Sequence, residues 1–216
     1  MARRPAEFSV SRDDILKAAA DVLQRRGYDA TTMKEIATAV HLTAASLYHH
    51  FPSKDDLLLA VLEAGMTEIL ARVQPIVRSP ALSPSEKLRA LICEHIAGVT
   101  ENTAVGAAMV FEIRALMVEH PLAEGATPEE LAAYRAFTQR RSAFFKQRDQ
   151  FEDCFREVIR EGIEKGEFAS VDAAIFTKTM LGAQNWVGVW FRPEGRLNGA
   201  EIADMMADTF LAAIIN

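Results

Sequence analysis

The side chains best placed for chemistry lie in the segment 32–51, where two short helical patterns are joined by a three-residue turn. Thr32 and Thr43 stand at the two helix starts, where hydroxyl and free backbone N–H groups can meet phosphate oxygens. The outward face of the second short helix combines small, aromatic and imidazole side chains, namely Ala44, Ala45, Tyr48 and His49. Tyrosine and histidine can hydrogen-bond a phosphate or a base edge, and alanine allows close contact with thymine methyls. The pattern predicts contacts to DNA.

Three basic side chains outside this segment extend the same prediction. Lys54 begins the following helix and is predicted to bind a phosphate, whereas Arg3 and Arg4 precede the first helix and are predicted to enter a minor groove. The chain carries a net charge of −6, and residues 1–55 hold eight basic against seven acidic residues. Affinity for DNA must therefore come from a few placed cations and helix N-termini rather than from a general positive field.

Apolar spacing indicates how these polar groups would be held. The first short helix has one apolar face, formed by Met33, Ile36, Ala37 and Val40. In the second short helix, Leu47 and Phe51 point back toward the same core. This is the helix-turn-helix arrangement, in which the second helix enters the major groove of DNA.

Helix starts are marked along the whole chain by a Ser, Thr or Asn followed three residues later by an acidic residue. The six pairs are Ser11/Asp14, Thr32/Glu35, Ser53/Asp56, Ser83/Glu86, Thr127/Glu130 and Asn198/Glu201. Together with the apolar periodicity they predict helices over 12–26, 33–40, 44–50, 54–73, 84–101, 104–118, 128–165, 171–191 and 199–215.

The predicted fold class is all-α, because no segment alternates apolar and polar residues over the length of a strand. Three short helices form a head, residues 1–56, and six longer helices form a ligand-binding and dimerisation bundle, residues 57–216. The most apolar stretch, 179–191, is too short and too polar to span a bilayer, and no signal-peptide pattern opens the chain. We therefore expect a cytoplasmic protein with no membrane contact. We also expect no cofactor and no metal site.

The stretch from Ser11 to Leu62 resembles the TetR family of transcriptional regulators. The residues that carry the resemblance are 15–19 (ILKAA), 27–28 (GY), 31–32 (TT), 36–37 (IA), 47–51 (LYHHF) and 53–57 (SKDDL). The resemblance implies that the head binds double-stranded operator DNA as a homodimer. His41 replaces a glycine that is common in the turn of that family, and Ala44 replaces a common lysine, which removes one phosphate contact.

Two features of the bundle point to a binding site or an interface. Arg141 and Arg148 fall on the apolar stripe of the helix 128–165, where a cation needs a partner. They could form an internal ion pair, with Glu112 for example, remain at the surface, or bind an anionic ligand. The run Gln184, Asn185 and Trp186 places amides beside an indole, which suits a partly hydrated cavity, a core or an interface.

Residues 157–193 also resemble TetR-type repressors that respond to acyl-CoA thioesters. This resemblance implies a small-molecule effector, such as an acyl-CoA, in a long apolar pocket with basic residues at its mouth. The implied lining is Phe111, Met117, Phe137 and Phe144, with Gln184, Asn185 and Trp186 as further candidates. The implied mouth is Arg114, Arg140, Arg141, Lys146 and Arg148. The resemblance to the TetR family implies dimerisation through the last two helices.

Other function classes lack their signatures. A di-metal carboxylate site needs Glu-x-x-His pairs, and none of the five histidines follows a glutamate by three positions. No phosphate loop, HExxH motif or nucleophile elbow is present. We therefore expect not an enzyme but a ligand-responsive regulator, a repressor by family precedent, on a pseudo-palindromic operator. A helical dimeric adaptor, or a small-molecule carrier that does not bind DNA, is the alternative.

Overall fold

The computed structural model describes residues 10–118, 122 and 125–216. The head consists of α1 (Arg12–Ala30), α2 (Met33–Ala39) and α3 (Ala44–His50). The body consists of α4 (Lys54–Val77), α5 (Pro84–Glu101), α6 (Thr103–Ala107), a π-helical segment (Ala108–Glu112), α7 (Ile113–Met117), α8 (Pro128–Glu164), α9 (Ala173–Trp190) and α10 (Gly199–Ala212). The predicted all-α architecture is confirmed, with α6, the π segment and α7 together forming the sixth of the nine predicted helices.

The helix starts are capped by the residues that the sequence indicates. Complete capping boxes form at Ser11, Thr32, Ser83, Thr127 and Asn198. At Ser53 the hydroxyl accepts the Asp56 N–H at 3.0 Å. Each such cap contributes about 1 kcal/mol to helix stability, so the starts are defined by local interactions.

Several predicted helices differ in detail from the structure. The predicted helix 104–118 is interrupted by the π segment, in which one extra residue is accommodated in the turn. The helix α4 continues past Pro75 to Val77, because a proline this close to the end removes only one backbone hydrogen bond. Gly27 does end the regular part of α1, with φ 75° and ψ 165°, but residues 28–30 add another turn beyond it.

Two hydrophobic cores lie on either side of α4. Leu57, Ala60 and Val61 pack into the head core with residues of α1, α2 and α3. The intervening Leu58, Leu59 and Leu62 pack into the body core. Different faces of one helix thus belong to the two cores, so that α4 connects the head to the body.

The chain end is fastened to the body near the end of α8. Ala169 donates its N–H to the Ile214 carbonyl at 2.7 Å, and Phe168 packs directly on Gly162, where a Cβ would fall within 2.1 Å of the ring. In the described part of the chain, no helix is both long and apolar enough to cross a membrane.

Candidate DNA-binding surface and ligand cavity

The turn between α2 and α3 depends on an unusual backbone conformation at His41. Its φ is 58°, in the left-handed region that glycine adopts without strain and histidine adopts at a cost. The following Leu42 donates its N–H to the Ala37 carbonyl at 2.8 Å, which closes the turn. The position at which the sequence departs from the family pattern is therefore the position that requires positive φ.

The helix α3 presents the face predicted from the sequence. Ala45 and His49 are exposed, Tyr48 is 50% exposed, and Ala44 is half-buried beside them. On the opposite face Leu47 is buried completely in the head core. The core thus fixes the orientation of the helix and leaves a polar surface free to contact a partner.

The two threonines lie at helix starts, as predicted. Thr43 accepts the Ser46 N–H at 3.1 Å, and Thr32 accepts the Glu35 N–H at 3.3 Å. Both side chains are exposed, so their first-turn N–H groups face solvent or a bound anion. Arg3 and Arg4 lie outside the described residues.

Lys54 has intramolecular partners that the sequence did not indicate. Its Nζ donates to the carbonyl oxygens of Tyr28 at 2.9 Å and Thr31 at 3.1 Å, and it lies 4.1 Å from the centre of the Tyr28 ring. A lysine ammonium has three donors, so one N–H remains for a phosphate. Lys54 therefore joins α4 to the end of α1, and its predicted phosphate contact must be made from that position.

Tyr28 joins the head to two parts of the body. Its backbone N–H, freed from the helix by the kink at Gly27, donates to Glu112 Oε2 at 2.7 Å, and its hydroxyl donates to Asp55. Burial and the Asp55 carboxylate raise the pKa of the Tyr28 hydroxyl, which therefore stays protonated. The carboxylate of Glu112, considered above as a partner for an arginine, instead accepts the Tyr28 N–H.

A cavity of about 330 Å³ lies in the body between α4, α5, α6, the π segment, α8 and α9. This volume is at the lower end of the range for small-molecule sites, ~300–1000 Å³. Its apolar lining and glycines are Gly65, Met66, Ile69, Gly98, Val99, Val105, Gly106, Met109, Phe151, Leu181 and Gly182. Its polar lining is Glu68, Arg72, His95, Glu101, Asn102, Arg148, Glu152, Lys178 and Asn185.

Most of the cations that line the cavity are neutralised by neighbouring carboxylates. Arg72 pairs with Glu68 at 2.9 Å and with Glu101 at 3.2 Å. Lys178 pairs with Glu152 at 3.0 Å. Arg148, an exposed residue of α8, forms no ion pair with any residue that the structure describes. Arg148 is therefore the lining cation that can neutralise an added anion.

A neutral polar pair connects the cavity wall, at His95, with the core behind it, at Gln184. The Nδ1 atom of His95 is 3.0 Å from Oε1 of Gln184, whose side chain is buried completely. Burial lowers the pKa of His95 to about 4, so the imidazole is uncharged near neutral pH. The other amide atom of Gln184, Nε2, has no hydrogen-bond partner in the described part of the chain.

Of the predicted ligand-binding residues, the structure places Arg148 and Asn185 on the cavity wall, with Gln184 directly behind it. Phe144 is instead buried in the body core, and Phe137 packs against that core. Phe111 and Trp186 stack edge to face at 6.3 Å on the outside, both largely exposed. Three further predictions, Arg114, Met117 and Arg141, also lie away from the cavity lining.

The sequence reasoning missed His95 and the glycines that leave room for the cavity. His95 lies on the same helical face as Leu88, Leu91 and Ile92, all buried. A histidine in an otherwise apolar stripe was the signal that could have identified it. The glycines could not be identified in this way, because the open space beside them is formed by several helices that are distant in the sequence.

An exposed apolar surface lies on the last two helices. Its exposed side chains are Ile175, Trp186 and Trp190 of α9 and Met205 of α10. Each is about half exposed or more, which is unusual for several large apolar side chains on neighbouring helices of a monomer. This is the face on which dimerisation was predicted.

Two family models match the chain. Residues 15–61 match the model described as bacterial regulatory proteins of the tetR family, and residues 131–214 match a tetracyclin repressor-like C-terminal domain. The first match covers most of α1, all of α2 and α3, and the start of α4. The second covers most of α8 and all of α9 and α10.

Full-length relatives support the same assignment. The chain is 27% identical over 216 residues to the HTH-type transcriptional repressor KstR2 of Mycobacterium tuberculosis, covering 99% of this chain and 98% of KstR2. It is 28% identical to the TetR-family regulator PfmR of Thermus thermophilus, with a TM-score of 0.75 and coverage of 94% and 98%. It is 30% identical to AibR, solved in complex with isovaleryl coenzyme A and operator DNA, with a TM-score of 0.69 and coverage of 91% and 96%. The chain belongs to the TetR family of helix-turn-helix, DNA-binding transcriptional regulators.

Proposed function

We propose that this TetR-family regulator represses transcription as a homodimer on a pseudo-palindromic operator and leaves the operator when an acyl-CoA thioester binds. The observation that carries the proposal is the double role of α4. Its residues Gly65, Met66 and Ile69 line the cavity, whereas Leu57 and Val61 form part of the head core. One rigid helix therefore touches both the ligand space and the DNA-binding head.

In this proposal α3 is the recognition helix. Ala45, Tyr48 and His49 contact base edges or phosphates, with Ala44 at the margin of the contact. Thr32 and Thr43 present helix N-termini to phosphates, and Lys54 uses its remaining N–H in the same way. Arg3 and Arg4 enter the minor groove. The proposed division is a DNA-binding head of residues 1–56 and a ligand-binding and dimerisation body of residues 57–216.

The dimer forms through the exposed apolar face of α9 and α10. Burying Trp186, Trp190 and Met205 against a second copy removes large apolar surfaces from water. The twofold axis then places two α3 helices about one DNA turn apart, roughly 34 Å, which matches two half-sites of a palindrome.

The acyl-CoA assignment depends on the cavity and on the relatives. AibR, 30% identical, was solved with isovaleryl coenzyme A and operator DNA together. The cavity combines an apolar wall with Arg148 at an exposed position of α8, where a CoA phosphate can be neutralised. Its modest volume favours a short or medium acyl group, with the nucleotide part outside.

Release follows when the effector binds one arrangement of α4 more tightly than the other. A ligand can shift this equilibrium only by its differential affinity for the two arrangements. Because the protein acts on DNA, we place it in the cytoplasm and assign it a regulatory rather than a catalytic role.

The DNA-binding part of the proposal is tested by a mobility-shift assay with the promoter region of the protein's own gene. Tyr48→Ala should weaken binding about tenfold or more without unfolding the protein, since Tyr48 is half exposed. Tyr134→Ala, on α8, is the matched control and should bind normally. Equal binding by wild type and Tyr48→Ala would remove α3 from the interface.

The effector part is tested by calorimetric titration with isovaleryl-CoA and octanoyl-CoA, followed by operator release. Gly182 lines the cavity, and a Cβ there would meet nothing within 4 Å. We expect Gly182→Leu to fill the space and weaken effector binding about tenfold or more, whereas Gly182→Ala retains it. If neither thioester binds the wild-type dimer, the acyl-CoA assignment fails.

A further inference from the structure

We propose that His95, Gln184 and Asn185 form a neutral hydrogen-bonding site that recognises a hydroxyl group on the buried acyl part of the effector. This inference rests on the acyl-CoA function proposed above and names the chemical class of acyl group that fits. The first two residues of the site come from facing helices, α5 and α9, and Asn185 follows Gln184 on α9.

The imidazole of His95 is held on all but one side. Its ring packs edge to face on Phe151 at 5.0 Å and on Phe155 at 6.3 Å, and the residue is only 8% exposed. Gln184 holds Nδ1 from within the core, at 3.0 Å. Because His95 lines the cavity and Gln184 does not, we infer that the ring edge opposite Nδ1 faces the cavity.

The hydrogen-bonding roles of the ring nitrogens follow from this arrangement. The partner of Nδ1 is an amide oxygen, which can only accept, so that Nδ1 carries the proton and donates. In a neutral imidazole the other nitrogen, Nε2, is then an acceptor. The cavity side of His95 therefore requires a donor from the ligand, and an alcohol O–H supplies one.

Asn185 completes the site. It lines the same cavity as His95. A carboxamide can both donate and accept, so it can give an N–H to the ligand hydroxyl oxygen while His95 accepts the hydroxyl proton. A plain alkyl chain would displace water from both groups and could not replace the hydrogen bonds that they make to water. Its binding is therefore disfavoured.

The charge of the site excludes ionised groups at this position. The pKa of His95 is lowered to about 4 by burial, and the two amides carry no charge. A carboxylate in contact with these three side chains would lose its hydration and find no charged partner among them, whereas a hydroxyl loses little. The cavity volume of about 330 Å³ further limits the group to a short or medium chain.

The test is a calorimetric titration of the full-length dimer with octanoyl-CoA, 3-hydroxyoctanoyl-CoA and 8-hydroxyoctanoyl-CoA. We expect one of the two hydroxylated thioesters to bind at least about tenfold more tightly than octanoyl-CoA. In His95→Leu, which replaces the ring by an apolar group, this preference should disappear while octanoyl-CoA binds as well or better. Thermal unfolding confirms that the variant is folded.

A second variant keeps the test decisive if His95→Leu does not fold. Asn185→Leu should reduce the preference, and Gln139→Leu, at an exposed amide of α8 outside the cavity lining, should leave it unchanged. Equal binding of octanoyl-CoA and both hydroxylated forms to the wild type overturns the hydroxyl inference and leaves the acyl-CoA function standing. Failure of all three thioesters to bind overturns the proposed function itself.

Discussion

The head and the body bury different kinds of side chain, although they share one helix. Among the described residues, the head core is apolar apart from Thr31, whose hydroxyl donates to the Gly27 carbonyl at 2.7 Å. The body core also buries His95, Thr177 and Gln184, and the Thr177 hydroxyl and Gln184 Nε2 lack partners in the described part of the chain. A DNA-binding domain needs a stable core and a polar surface, whereas a ligand-binding domain needs polar groups and space in its interior.

The shared helix α4 determines whether a structural change in the body can reach the head. Because α4 contributes to both cores, its packing energy belongs to neither region alone. Arg140 of α8 strengthens the connection by pairing with Asp56 at 3.1 Å and Glu63 at 2.7 Å, both on α4. The following predictions test how far head and body behave as separate units.

The largest effect is expected from truncation of the body core. Phe155 is completely buried and packs on Phe151, so Phe155→Ala should lower the free energy of unfolding by about 3–5 kcal/mol. Leu47→Ala is the matched change in the head and should cost ~2–5 kcal/mol. Urea unfolding followed by circular dichroism should show one transition in both variants, because α4 is shared. A separate head transition would show that the two regions unfold independently.

The next effect is a pH dependence specific to the body. His95 has a pKa of about 4 when folded, against 6.5 for an ordinary histidine. Between these values the unfolded chain binds more protons, so stability is full above pH 6.5 and falls as the pH drops toward 4. The loss should reach about 3 kcal/mol, at 1.36 kcal/mol per pKa unit. Subtracting the profile of His95→Leu isolates this contribution, and parallel profiles would contradict it.

A smaller effect is expected where the head joins the body. Lys54→Met removes two hydrogen bonds to the end of α1 and the contact with the Tyr28 ring, which should cost about 2 kcal/mol. Lys34→Met, at an exposed site on α2, should change stability by less than about 0.5 kcal/mol. Chemical denaturation of both variants provides the measurement. If both variants lose the same small amount, Lys54 has no joining role.

The smallest effect should be a gain within the head. His41→Gly relieves the left-handed backbone at φ 58° and should raise the free energy of unfolding by about 0.5–1 kcal/mol, with no loss of operator binding. Leu42→Gly, beside it in the turn, should destabilise the protein, because it removes a half-buried side chain that packs on the head core. Thermal unfolding distinguishes the two. A lower melting temperature for His41→Gly would mean that the histidine side chain stabilises the turn.

The same contrast explains what the sequence could predict. The head depends on contacts between residues close in the chain, such as Thr43 with Ser46, and on one apolar face for each helix, so its elements follow from spacing. The cavity depends on side chains from α4, α5, α6, the π segment, α8 and α9, and no local pattern encodes the space between them. Arg148 and Asn185, predicted because a polar residue stood in an apolar segment, lie on the cavity wall, whereas Phe144, predicted for the lining, is buried in the core.

The π segment also has a geometric consequence for the connection to the head. It contains one residue more than a regular helical turn. It begins two residues after Gly106, which lies on the cavity wall, and it ends at Glu112, which accepts the Tyr28 N–H. If this stretch became regular α-helix, the residues after it would rotate by about 100° and shift by about 1.5 Å relative to those before it. Glu112 would then turn away from Tyr28. The π segment thus places one extra residue where the wall of the cavity meets the kink at Gly27.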